Sequence, residues 1–383
     1  MIVYMCNALD EETRDFRVIT TDSPAATKKV FGLCYAIQIA GGNASVLSMG
    51  RGRQNGSYKK FSAIEKKVGS AEVFYASFWH VPLLTHLVTV FSLVLCMWSI
   101  LKKKSVKVLL YNRQWHYVPA TLLAKLYGAA CYLDLEDGWV ADVTVSQRIL
   151  TSFYNWACDS GSLLACDALK EQVKTVHNLP CYGVASVITD IDRDWNSEKL
   201  QVLFGGSLWE GTGAGLFIDA IDLLIASCPN ISNFLNIVVV GFGEKSQDIE
   251  RLALNSGGLV DFRGMVSNSE YQSLLDSSHA GMCLKLSSGE FQDSTFPSKV
   301  IEITANGLLL VSTKVSDVPV IFNEETSLLL ERDEPEVLMN ALIWFANHRD
   351  EVKIRALAGK DMILQKFSEK RVGQQLLSFF KEL

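Results

Sequence analysis

Along the chain, short apolar runs rich in β-formers alternate with longer stretches whose apolar residues recur every three or four positions. The runs VFYAS (73–77), VKVLLY (106–111) and ACYLDL (130–135) lack a helical period and predict strands. Residues 81–101, 117–127 and 145–157 predict helices between and after them. Residues 25–40 predict a further helix, stopped by Gly41-Gly42, with SVLSMG (45–50) as the strand behind it. Around 186–199 the sequence SVITDIDRDWNSEK carries no stripe and predicts a linker. The rhythm then restarts. Strands are expected at 200–206, 236–243, 260–264, 281–286 and 308–313, and helices at 214–227, 269–277 and 298–305. The remainder is helical over 336–347, 351–367 and 370–383. Repeated strand–helix units imply a parallel sheet covered on both faces. The expected class is α/β, with two doubly wound, Rossmann-like parallel-sheet domains facing a cleft. They span 1–188 and 196–367, with a C-terminal helix (368–383) able to pack back on the first. In such sheets ligands bind beyond the carboxyl ends of the strands.

A length of 383 residues exceeds what one core usually holds, which agrees with two domains. With 49% hydrophobic and 20% charged residues, disordered, collagenous and coiled-coil chains are excluded. The net charge of −6 argues against nucleic acid as a partner. That charge is uneven: residues 1–107 carry 14 Lys+Arg against 7 Asp+Glu, which leaves a net of −13 for the rest. A basic first quarter suits an anionic surface or substrate, although two solvated surfaces of opposite sign would look the same. The nine cysteines form no CxxC pair and sit mostly in apolar runs, as reduced thiols of a cytosolic protein would. They have no zinc or haem spacing. The run Met1–Cys6 is too short for a signal peptide.

Residues 81–101 contain no Asp, Glu, Lys or Arg and are followed at once by Lys102-Lys103-Lys104. The length would span a bilayer. A span would put residues 1–80 on the opposite side from everything that follows. A core helix, or a helix dipped into the membrane interface with its lysines at the headgroups, keeps the first domain whole. The expectation is the interfacial helix: contact with a membrane surface through 81–104, the protein lying peripherally on the cytoplasmic face of the inner membrane.

The segment STFPSKVIEITANGLLLVST (294–313) concentrates candidate chemistry. Pro297 suits a first helical turn, Ser294, Thr295 and Ser298 can cap it, and Gly307 ends it. A helix opening there would offer N–H groups to phosphate. Lys299 adds a cation, and Glu302, one turn on, could accept two ribose hydroxyls. A capped surface helix with a Lys/Glu pair has the same spacing.

The run FPSKVIEITANGLLLVSTKVSDVP (296–319) resembles the donor-site signature of GT-B fold retaining glycosyltransferases of the family 4 type, as found in bacterial capsule, O-antigen and exopolysaccharide pathways. LFGGSLWEGTGAGLFIDAIDLL (203–224) resembles the opening of their donor domain, and residues 238–284 its middle. Residues 22–48 and YLDLEDGWV (132–140) resemble parts of the acceptor domain. The resemblance implies that Glu302 holds the ribose and that Gly206 and Ser207 line the diphosphate. It further implies that the backbone at Arg263 and Gly264 borders the base, and that Thr295, Phe296, Pro297 and Ser298 offer N–H groups to phosphate or sugar. It implies a nucleotide-diphosphate sugar as donor substrate, a glycan or lipid-linked glycan as acceptor, and neither cofactor nor metal.

The sequence departs from that pattern in two places. Relatives carry Arg and, five residues on, Lys, where this chain has Ser207 and Thr212; Lys299 and Lys285 are the local substitutes. The acid eight residues before the ribose Glu is replaced by Ser294, with Asp293 beside it and Glu290 further back. On the acceptor side, DLEDGW places Asp134 and Glu136 on one strand face and Asp137 in the loop. Glu136 or Asp137 could serve as general base toward an acceptor hydroxyl, unless the acids only solvate a loop or cap a helix. His80, His86 and His116 read as packing or interfacial residues. The triplet Asp190-Ile191-Asp192 has metal-like spacing but falls in the expected linker. The alternatives are an epimerase of the same fold, acting on the nucleotide sugar alone, and a non-catalytic partner subunit.

Overall fold

The computed structural model describes residues 1–383 except 22, 55–58, 82, 140–142, 186–192, 289–293 and 382–383. The chain forms two compact units. The first comprises Met1–Val184 together with Phe367–Leu383, the second Ala185–Lys366.

The first unit holds an eight-stranded sheet. Its strands are β1 (Ile2–Met5), β2 (Ala44–Ser48), β3 (Ile64–Val68), β4 (Ala71–Tyr75), β5 (Lys107–Tyr111), β6 (Ala130–Leu135), β7 (Ser162–Leu164) and β8 (Asn178–Pro180). The order across the sheet is β8-β7-β6-β5-β1-β2-β4-β3, parallel except for the β3–β4 edge pair. Four helices of nine or more residues connect strands: α1 (Pro24–Ile39), α2 (Leu84–Lys103), α3 (Val118–Leu126) and α4 (Val145–Ala157).

Strand residues alternate between faces. Ile2, Tyr4, Val46, Leu109 and Tyr132 join one core with Val30, Leu33 and Ile37 of α1. Val3, Met5, Leu47, Val108, Leu110 and Leu133 are also buried and face the other way. On that side α2 packs against β2 and α3, and α3 against β6 and α4.

The second unit has strands β9 (Leu200–Ser207), β10 (Leu235–Phe242), β11 (Val260–Gly264), β12 (Ala280–Cys283), β13 (Leu309–Thr313) and β14 (Ser327–Leu330). They run parallel in the order β11-β10-β9-β12-β13-β14. This is the doubly wound order whose direction of progression reverses beside the first strand, here between β9 and β12. Its strands are connected by helices that include α5 (Ala214–Ser227), α6 (Ser246–Asn255), α7 (Asn268–Ser277) and α8 (Lys299–Ala305), and α9 (Pro335–Asn347) follows the last strand.

Two helices end the chain, α10 (Arg349–Phe367) and α11 (Glu369–Lys381). Helix α11 packs along α1, and a Cβ at Gly373 would come within 1.9 Å of the Ala36 carbonyl oxygen. Only a glycine lets the two backbones approach so closely. Phe379 and Phe380 pack on Tyr132, and Phe379 stacks on His177 at 4.1 Å.

The stretch 186–199 is not all linker. Arg193 is buried, donating to the carbonyls of Gly307, Leu275 and Asn306, and Trp195 joins the second unit's core. Their polar neighbours hide both from a reading by period. Asp190 and Asp192 lie outside the described residues.

Candidate active site

At the switch point of the second unit, β9 ends in Gly205-Gly206-Ser207. Gly206 and Gly241 have positive φ, 133° and 129°. A Cβ at Gly241 would lie 1.8 Å from the Gly206 carbonyl oxygen, so the ends of β9 and β10 approach backbone to backbone. A Cβ at Gly206 would lie 2.3 Å from Lys299 Nζ. That ammonium donates to the Gly205 carbonyl and lies 5.8 Å from the centre of the Tyr271 ring. The Tyr271 hydroxyl donates to Glu302 Oε2 at 3.3 Å, and burial together with Glu302 pushes its pKa up. Gly205, Gly206, Lys299, Tyr271 and Glu302 thus form one constellation where an α/β sheet takes its ligand.

The other donor-side candidates are arranged differently. Lys285 donates to the Thr295 carbonyl at 2.9 Å and to Thr295 Oγ1 at 2.6 Å, so it braces the 294–298 segment rather than joining Lys299. Burial pushes the Cys283 thiol between them up to about 11, against the pull of both lysines. Ser207 and Thr212 bear no charge and close a turn: Thr212 Oγ1 donates to the Ser207 carbonyl at 2.6 Å. Gly213 follows with φ 82°, pressed against the Leu284 carbonyl. Arg263 pairs with Asp261 at 2.8 Å on β11, an edge strand two strands from β9, and Gly264 turns the chain there at φ 63°.

The expected capping of the helix after Pro297 is corrected. Helix α8 begins at Lys299, so Pro297 precedes the cap, and Ser298 makes no side-chain cap bond. Thr295 Oγ1 serves Lys285, and Ser294 Oγ is buried without a partner. Pro297 has no N–H, and that of Ser298 goes to the Phe296 carbonyl at 2.9 Å. Asp293 and Glu290 lie outside the described residues.

In the first unit the acids stand at the carboxyl end of β6. Asp134 is fully buried, accepting from the Tyr4 hydroxyl and, at 2.9 Å, from Lys29 Nζ. Lys29 also pairs with Glu136. Burial works against the Lys29 charge, yet Asp134 and Glu136 hold its pKa well above the usual value. Burial pushes Glu136 up to about 7; Lys29 opposes this, while Asp134 and Asp137 add to it. Asn112, at φ 54°, brackets the loop. Its Oδ1 accepts from the Glu136 and Asp137 N–H groups at 2.8 and 3.1 Å, and its Nδ2 donates to Asp137 Oδ2 at 2.9 Å.

A pocket of about 980 Å³ opens beside this loop. Asp137 and Asn112 line it, with Trp115, Trp139, Ile149 and Phe153 as apolar wall; Glu136 does not. Of the two expected acids, Asp137 therefore faces the pocket, and Glu136 belongs to the buried Lys29 group.

Lys29 and Tyr271 escaped the sequence reading. Lys29 had a legible signal. It stands three residues after Ala26 and four before Leu33, on the buried stripe of α1, where a lysine requires a carboxylate partner. Tyr271 acts through a distant element, and nothing local marks it.

Residues 199–348 match the family model described as glycosyl transferases group 1. No curated protein matches the chain. Among solved structures the chain resembles TarM, at 9% identity over 100% of this chain and 99% of that one, with a TM-score of 0.70. It resembles sucrose-phosphate synthase of Thermosynechococcus elongatus at 13% identity, over 100% and 98% of the chains, with a TM-score of 0.69. It also resembles Anabaena HepE in complex with UDP and glucose, at 14% identity, over 100% and 99%, with a TM-score of 0.69. The fold is GT-B: two α/β units built on parallel sheets.

Proposed function

We propose that this chain is a glycosyltransferase that moves a sugar from a nucleotide-diphosphate sugar, of UDP or GDP type, to a glycan or lipid-linked glycan acceptor of a cell-surface polysaccharide. The second unit takes the donor and the first the acceptor. The observation that carries the reading is the constellation of Gly205, Gly206, Lys299, Tyr271 and Glu302 at the sheet's switch point. It lies within the segment that matches group 1 glycosyl transferases. That HepE is described in complexes with UDP and with UDP-glucose favours a uridine donor.

In this reading Glu302, oriented by Tyr271, accepts the ribose hydroxyls. Glycines at 205 and 206 let backbone approach the diphosphate, and Lys299 balances the charge that grows on it as the glycosidic bond to phosphate breaks. The acceptor oxygen bonds to the anomeric carbon on the same face, with retention and without a metal ion, and its proton passes to Asp137. A thermal-shift panel of nucleotide sugars tests the donor class, since a selective ligand raises the melting temperature by mass action. Glu302→Ala should weaken binding of the selected nucleotide diphosphate by about 1.5–3 kcal/mol, the range for a charge-assisted hydrogen bond. An unchanged affinity would remove Glu302 from the site, and no binding at millimolar concentration would refute the reading. Product analysis with donor alone separates a transferase from an epimerase.

The protein is further proposed to lie on the cytoplasmic face of a membrane through α2. This helix buries Leu93, Met97 and Ile100 together with Thr89 and Ser92, yet Leu87 and Phe91 are 67% and 66% exposed and continue into exposed Leu95 and Trp98. An exposed apolar row of this length is unfavourable in water and favourable at a bilayer surface. Lys102 Nζ sits 3.4 Å from the centre of the Trp98 ring, and Trp98 Nε1 donates to the Tyr127 hydroxyl at 3.1 Å, the aromatic and cationic pairing of an interfacial belt. Helices α3 and α4 also carry exposed apolar side chains, among them Leu122, Leu126, Val145 and Trp156.

A further inference from the structure

Three side chains with no part in the chemistry above converge beside the first unit's pocket. Arg51 follows β2, His86 stands in the first turns of α2, and His116 lies in the short turn before α3. Arg51 Nη1 donates to His86 Nδ1 at 3.1 Å, and His116 Nε2 lies 2.9 Å from that same nitrogen. His86 Nδ1 carries either one lone pair or one proton, so in neither tautomer can it satisfy both Arg51 and His116. The cluster is therefore rich in donors and short of an acceptor. Among the described residues no carboxylate forms an ion pair with Arg51. Burial, with Arg51 and His86 beside it, pushes His116 down to about 4, as expected next to a guanidinium. The guanidinium also makes the cluster unfit for a metal ion.

The cluster is held in place and has two different neighbours. Asn7 grips the Arg51 backbone from both sides, accepting from its N–H at 3.2 Å and donating to its carbonyl at 2.7 Å. Trp115 stacks on His116 at 3.8 Å, and both line the pocket. On the other side His86 is flanked by exposed Leu83, Leu84 and Leu87, where the apolar row of α2 begins.

We infer that Arg51, His86 and His116 bind the phosphate of an amphiphilic phosphate ester, whose apolar chain lies along the exposed row of α2 and whose polar end enters the pocket. A guanidinium with two imidazole donors matches a phosphate's oxygens. The apolar row distinguishes an alkyl- or isoprenoid-bearing phosphate from the free anion. The inference deepens the acceptor half of the proposed function, and its test uses no donor.

The test measures binding of dodecyl phosphate below its micelle concentration to the full chain by calorimetry, with inorganic phosphate and dodecyl maltoside as comparisons. Histidine ring signals are followed by NMR. Dodecyl phosphate should bind at least about tenfold more tightly than either comparison, and the His86 and His116 signals should move. Arg51→Gln and His116→Gln should each lose about tenfold or more of that affinity, as for a hydrogen bond to a charged group. Two variants on separate elements guard against one that fails to fold. Equal binding of inorganic phosphate would overturn the amphiphile, equal binding of dodecyl maltoside would overturn the phosphate, and unmoved histidine signals would overturn the site. UDP affinity, measured alongside, should be the same in both variants and the parent. If no nucleotide binds to any of them, the transferase reading fails while the phosphate site stands or falls on its own arms.

Discussion

Gly206→Ala tests whether Lys299 is seated at the end of β9. The substitution does two separable things. It places a Cβ on a residue whose φ is 133°, which costs an L-residue about 1–3 kcal/mol. It also puts that Cβ 2.3 Å from Lys299 Nζ, displacing the ammonium from the Gly205 carbonyl. Loss of a hydrogen bond from a charged donor costs about 1.5–3 kcal/mol. The colliding atoms are the far end of a flexible side chain, so the lysine yields rather than the strand. In a Lys299→Ala background only the backbone strain remains. The two substitutions should therefore be non-additive, with a coupling of about 1.5–3 kcal/mol. The assay is urea unfolding of the full chain, read on the transition that UDP shifts upward, which identifies the unit that holds the nucleotide. If Gly206→Ala costs the same in both backgrounds, Lys299 does not occupy that position and the constellation is wrongly drawn.

Lys29→Met should destabilise the first unit by about 3–5 kcal/mol in urea unfolding, because it leaves the buried Asp134 carboxylate without its cation; a loss under about 1 kcal/mol would show that Tyr4 alone satisfies the acid. Glu136 has a folded pKa of about 7 against an ordinary 4.5, so between those values the folded chain keeps a proton that the unfolded chain has released. Stability should therefore fall as pH rises through that window and level off above it, and Glu136→Gln should remove this slope from melting curves taken across pH. Replacing Leu87, Phe91 and Leu95 together by Ser should move the protein from liposome pellets to supernatant, and salt should release part of the parent protein. Full solubility of the parent with no liposome binding would end the membrane proposal, and protease protection of residues 1–80 in sealed vesicles would convert it into a span.

Elements long enough to show a period were legible in the sequence. ACYLDL and residues 145–157 coincide with β6 and α4, and 214–227 coincides with α5. What escaped was short or double-natured. Strands β7, β8 and β14 have three or four residues, too few for alternation to be seen. Strand β1, at the centre of its sheet, is buried on both faces and so shows only an apolar run. IEKKV of β3 alternates correctly but carries three charges, as an edge strand does. At the candidate site the sequence marked Lys299 and Glu302, while their partners, Gly205 and Tyr271, lie on other elements and only the tertiary structure joins them. Similarly, His86 and His116 are thirty residues apart and look like separate packing residues until Arg51 is placed between two loops and a helix.

The seating of α11 on α1 also sets an order of events during synthesis. The face of α1 that carries Ala36 remains uncovered after residue 184 has been made, because its cover is residues 369–381. At about 5–20 residues per second, the ribosome needs roughly 10–40 s to deliver it. Through that interval the amino-terminal half presents an unfinished apolar surface while the carboxyl-terminal half is still emerging. A stop codon shortly before residue 369 would leave that surface exposed permanently.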